Sequence, residues 1–160
     1  MSALLRDGDE IVLVLEAARG EEPSWALPGG VLEDGELLHE GLEREVLEET
    51  GLRVDTLGRL AFVKQIDNCR HGRNRHDLEN EYLLTVWTFE VDRWSGDLDP
   101  RDPDGHVRDA QRVHLSEAIT KLAASSRHQL TAKYLSGQIE VGTVHLFRRD
   151  VDGSVARALP

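Results

Sequence analysis

Apolar residues fall in short runs with polar punctuation between them. "SALLR" and "IVLVLEA" flank "DGDE", and an Asp-Gly pair between two such runs predicts a hairpin. "ARGEEPS" (Ala18–Ser24) reads as a polar loop, and "WALPGG" as a short extended piece closed by a Pro-Gly-Gly turn. From Leu37 to Thr50 only helix formers and one glycine, Gly41, occur, and Gly51 stands where a C-cap glycine belongs. "RVDTL" and "RLAFVKQI" predict two strands around Gly58, "DNCRHGRNRHDLEN" a loop, and "EYLLTVWTFEV" a strand buried on both faces. After the loop "DRWSGDLDPRDPDGH", "RVHL" predicts a short strand and Ser116 caps a helix "EAITKLAA". "RHQLTAKYLS" predicts a further helix stopping at Gly137, and the tail a hairpin turning at Asp152-Gly153. Hairpin strands interrupted by three helices predict an α/β fold, a mixed sheet covered by helices.

Composition narrows the class. The 160 residues suit one domain, 1–160, and 39% apolar with 31% charged residues is ordinary for a globular protein. A net charge of −11 argues against nucleic-acid binding through phosphates. It leaves room for one small anionic ligand if metal ions or a local basic patch offset the field. The only cysteine, Cys69, allows no intrachain disulfide, so a cytoplasmic location is expected. No run of 18 apolar residues and no uninterrupted apolar leader occur, so no membrane partner is expected.

Charge changes the picture most between Gly29 and Leu52, where eight carboxylates stand against one arginine, Arg44. Glu45, Glu48 and Glu49 lie three and four apart, so the predicted helix puts them on one face, where like charges cost about 0.2–0.5 kcal/mol per pair. A solvated acidic face would intersperse lysines and arginines at the next turn, and this stretch has almost none. Three convergent carboxylates are the hard oxygen ligands that Mg²⁺ or Mn²⁺ takes. Gly41, one turn before Glu45, costs about 1 kcal/mol relative to alanine. Its missing side chain would let the "WALPGG" loop approach the helix.

Gly30, Glu36, Arg44, Glu45, Val46, Glu48, Glu49, Gly51 and Leu52 together resemble the signature of the Nudix hydrolases at all nine defined positions. "WALPGG" and "EDGE" resemble that family's flanks. The resemblance implies an α/β/α sandwich with a mixed β-sheet between helices. It implies hydrolysis of a nucleoside diphosphate derivative, NDP-X, to NMP and P-X, with Mg²⁺ (Mn²⁺ as a substitute) holding the diphosphate. Carried onto this chain, Glu45, Glu48 and Glu49 would be metal ligands, joined by a backbone carbonyl of Gly29 or its neighbours. Glu48 or Glu45 would serve as the base. Arg44 would fix a glutamate's rotamer, and Glu36 would brace the loop, with Gly30 and Gly51 as supporting glycines. The alternative within the resemblance is a non-catalytic nucleotide sensor. Departures are Leu37 where a serine-like cap is usual, Leu42 where a small residue is common, and Arg112 where many members place a tryptophan.

No substrate subclass is supported. The expected partner is a small nucleotide, and a homodimer is left open. Trp25, beside the signature loop, is the better candidate to stack on a base, with Trp87 assigned to the core. Arg70, Arg73 and Arg75 form the densest basic group and could reach a distal phosphate. Cys69, His71 and His76 match no common zinc spacing.

Overall fold

The computed structural model describes residues 1–17, 22–67, 83–149 and the strand 155–159. Strands β1 (Ser2–Asp7) and β2 (Glu10–Glu16) form the expected hairpin. Its two-residue turn is Gly8-Asp9 rather than Asp7-Gly8. Gly8 adopts φ 58° at the first turn position, a conformation that a residue with a Cβ resists. Strand β3 (Ser24–Ala26) pairs antiparallel with β2 and leads through Pro28 to helix α1 (Leu38–Thr50).

The two strands expected around Gly58 are one, β4 (Arg53–Asp67), which pairs antiparallel with β5 (Leu83–Ser95). Register shifts from Val54 to Phe62 absorb the irregularity, and a Cβ on Gly58 would lie 2.8 Å from the Glu90 carbonyl oxygen. Strand β6 (Val107–His114) is longer than expected and pairs with β2. Helix α2 (Leu115–Ala123) is capped by His114, not Ser116: the His114 Nδ1 accepts from the Ser116 N–H. Helix α3 (Gln129–Leu135) follows, and β7 (Thr143–Arg149) pairs antiparallel with β8 (Val155–Leu159).

The sheet runs β3-β2-β1-β5-β4-β7-β8, with β6 on β2. β1–β5 and β4–β7 are parallel and the other pairs antiparallel, so the sheet is mixed. Alternation along β1 assigns the layers. Ala3 and Leu5 pack with Leu42 and Val46 of α1, while Leu4 packs with Ala118 and Leu122 of α2. The result is the expected sandwich. Among the described residues no helix is long and apolar enough to cross a membrane.

Strand β5 is not buried on both faces. Thr88 and Val91 are buried, but Leu83 is 61% and Trp87 41% exposed. Thr88 pairs with Ser2 at the start of β1. Leu84–Trp87, upstream of that pair, line a cleft.

Candidate active site

Helix α1 offers the sheet a stripe of Leu42, Val46, Glu49 and Thr50, all buried. A carboxylate therefore sits on the apolar face, at 8% exposure. The helix starts with the Leu37 N–H donating to Glu40 Oε2 at 2.8 Å, which supplies the cap that leucine cannot. It ends at Gly51, φ 80°, whose N–H donates to the Leu47 carbonyl. The loop after β5 satisfies further terminal carbonyls, through Asp99 N–H to Thr50 and Arg101 N–H to Glu48. A Cβ on Gly51 would meet the Asp99 nitrogen at 2.7 Å, so glycine is required for closeness as well as for φ.

Arg44 is the hub of the helix's outer side. Its guanidinium holds Glu36 through both carboxylate oxygens, at 2.8 and 3.0 Å, and donates to the Val31 carbonyl at 3.1 Å. It also lies 3.1 Å from Glu45 and 3.2 Å from Glu48. Glu36 in turn accepts from the Glu33 N–H. The Arg44 guanidinium holds the Glu36 carboxyl down at about 2, and Glu36 keeps Arg44 firmly protonated. Arg44 thus links the loop to the helix through Glu36.

The glycines make the approach possible. A Cβ on Gly30 would fall 2.2 Å from Glu45 Oε1, so the Glu45 carboxylate occupies the space a side chain there would fill. A Cβ on Gly41 would meet Leu32, Glu36 and Met1 side chains within 3.0 Å, which explains the helix-interior glycine. The Gly29 N–H donates to Glu49 Oε2 at 2.7 Å, and the Gly30 carbonyl accepts from the Met1 amino group at 2.8 Å. Burial raises the Glu45 carboxyl above its ordinary range, against the pull of Arg44. Burial also pushes Glu49 up to about 8, aided by the negative charges of Glu45, Glu16 and Asp102 and opposed by the Gly29 N–H.

Among the described residues no three His, Cys, Asp or Glu side chains converge closely enough to hold a metal ion. Glu45 and Glu48 lean toward Arg44 while Glu49 turns inward to Gly29. The donor set nevertheless suits a hard divalent cation. It offers carboxylate oxygens from Glu45, Glu48 and Glu49, with Glu45 and Glu49 desolvated, beside a glycine loop open to close approach.

Beside these glutamates runs a cleft of about 830 Å³, in the size range of small-molecule sites. Gly29, Gly30, Glu16, Phe62, Lys64, Trp87, His128 and Phe147 are among the residues that line it. Trp87, expected in the core, lines the cleft instead. Trp25 does not line it: its ring packs near α2 with Lys121 Nζ 4.2 Å from the ring centroid. Arg70, Arg73, Arg75, Cys69, His71 and His76 lie outside the described residues. The sequence reading missed Lys64, although Phe62, Lys64 and Ile66 alternate along β4 in a pattern that marks one face.

Residues 1–134 match the NUDIX domain. The human 8-oxo-dGDP phosphatase NUDT18 is 44% identical over 55 residues, 34% of this chain and 17% of that protein. The putative mutator protein MutT4 of Mycobacterium tuberculosis is 29% identical over 128 residues, 78% of this chain and 46% of that protein. The matched segments thus span less than half the length of either relative. The MutT protein from Bacillus halodurans shares the fold at a TM-score of 0.72 and 20% identity, covering 99% of this chain and 94% of that one. A domain match across most of the sequence, carried on this sandwich, shows that the chain belongs to the Nudix hydrolase family.

Proposed function

We propose that the protein is a metal-dependent hydrolase cleaving the diphosphate linkage of a nucleoside diphosphate derivative, NDP-X, to NMP and P-X. The observation that carries this reading is the desolvated pair Glu45 and Glu49, tucked against Gly30 and Gly29, which line the cleft. Glu45, Glu49 and Glu48, with a carbonyl of the Gly29 loop, would hold Mg²⁺ or Mn²⁺. The bound ion supplies positive charge opposite the phosphoryl oxygens.

The remaining chemistry belongs to the chain. A water oxygen attacks phosphorus, the anhydride P–O bond breaks, and the water's proton passes to a carboxylate. Glu48 is the proposed acceptor. Its side chain is 30% exposed, against 14% for Glu45, and Arg44 at 3.2 Å fixes its position. Glu45 is the alternative base, and Arg44 is a positioning residue for both. Intact glutamates at every signature position argue against a purely sensing domain. The similarity of part of the chain to NUDT18, an 8-oxo-dGDP phosphatase, supports a nucleoside diphosphate as substrate type. The single cysteine supports a cytoplasmic setting.

The test is a nucleotide panel with Mg²⁺ (ADP-ribose, 8-oxo-dGTP, diadenosine polyphosphates, nucleotide sugars), read by released products. At least one is cleaved, excess EDTA abolishes turnover, and Glu48→Gln lowers it at least about a thousandfold, roughly 4 kcal/mol of barrier. Full activity in EDTA after metal stripping refutes the metal assignment. Near-normal turnover by the variant removes Glu48 as base.

A further inference from the structure

Lys64 stands where few lysines are found. It lies on β4 between Phe62 and Ile66, and all three line the cleft. Its ammonium donates to the Arg127 carbonyl at 2.6 Å and lies 5.9 Å from the centroid of the Phe147 ring. Among the described residues no carboxylate lies within 4.0 Å of it. Partial burial lowers its pKa, and the neighbouring charge of Arg127 lowers it further. A partly desolvated ammonium with no carboxylate beside it among the described residues is costly unless something else supplies acceptors.

An ammonium has three donors, and the Arg127 carbonyl takes one. Two N–H groups remain for a ligand between apolar walls formed by Phe62, Ile66, Leu84, Val86 and Phe147. A phosphate would lose much of its hydration there, whereas a flat neutral ring would not. Guanine presents two adjacent acceptors, O6 and N7, which is the edge that lysine and arginine read in nucleic acids. Adenine puts an N6 donor in place of O6, which opposes an ammonium.

We infer that Lys64 is a specificity-determining residue that donates to the O6/N7 edge of a guanine-type base and makes the cleft prefer guanine nucleotides. This rests on the nucleotide-hydrolase reading for the identity of the ligand, but it concerns the base rather than the phosphates.

The experiment separates binding from turnover. Equilibrium binding of GMP, AMP and ribose 5-phosphate is measured by calorimetry for the wild type, Lys64→Met and Lys64→Arg. The wild type binds GMP at least about tenfold tighter than AMP. Lys64→Met weakens GMP by about 10- to 100-fold, changes AMP by less than about threefold, and keeps a melting temperature no lower than wild type. Lys64→Arg, which can also donate twice, restores most of the GMP affinity. Equal losses for GMP, AMP and ribose 5-phosphate would place Lys64 on the phosphate and overturn the inference, as would no loss at all. Hydrolysis that continues with a base preference unchanged by Lys64→Met refutes Lys64 alone. Failure of every nucleotide to bind or turn over refutes the hydrolase reading, and the inference with it.

Discussion

Replacing Glu49 by glutamine tests the idea that the protein holds a buried charge for function at a cost in stability. The Glu49 carboxyl is 8% exposed, and its pKa stands at about 8 against an ordinary 4.5. A raised carboxylate pKa means that the folded state penalises the ionised form. Between 4.5 and about 8 the folded chain keeps a proton that the unfolded chain has released. Stability must therefore fall as pH rises through that window, and the penalty is complete above it. The displacement from 4.5 to about 8 converts to at most about 5 kcal/mol. Side-chain rotation toward solvent reduces this, and about 2–3 kcal/mol is the working figure.

Glutamine has the same shape, keeps an oxygen for the Gly29 N–H at 2.7 Å, and carries no charge. In EDTA at pH 8.5, Glu49→Gln should melt about 5–10 °C above wild type, at about 2–4 °C per kcal/mol for a chain of this size. At pH 5, where the wild-type carboxyl is already protonated, the two should melt together. Added Mg²⁺ should raise the wild-type melting temperature at pH 8.5, because binding to the native state stabilises it. It should raise the variant's much less. Differential scanning calorimetry at the two pH values reads all of this. A variant less stable than wild type at pH 8.5, or a difference independent of pH, would refute the reasoning.

Two further substitutions address the loop and the hub. Gly30→Ala should fold, because the three atoms nearest the added methyl all belong to the flexible end of Glu45, the closest 2.2 Å away. It should lower kcat/KM about 100-fold by displacing that carboxylate by an ångström or more, and steady-state kinetics beside a melting curve separate the two effects. Arg44→Lys keeps the charge but cannot span Glu36, Val31, Glu45 and Glu48 at once. It should reduce kcat about 10- to 100-fold with a smaller change in KM, and an unchanged kcat would remove Arg44 from its positioning role.

What was legible in the sequence was what local chemistry dictates. The acidic helix, its C-cap Gly51 and the β1–β2 hairpin follow from periodicity and turn residues, and the nine signature positions marked Glu36, Arg44 and the three glutamates. Whatever depends on which neighbour a strand has was not legible. An apolar run such as that around Trp87 reads as a core strand because periodicity cannot show which of its residues pair with β1 and which line a cleft. Side-chain choice within the helix was equally hidden. Spacing places Glu45, Glu48 and Glu49 on one side, but the Gly29 N–H and the Arg44 guanidinium decide where each carboxylate turns. Both partners come from the signature itself, so the Gly29 loop and Arg44 set the direction of each glutamate. On the proposed metal reading, an Arg44 released from Glu36 would pair more with Glu45 and Glu48, and Glu36→Gln should lower Mg²⁺ affinity, read by calorimetric titration.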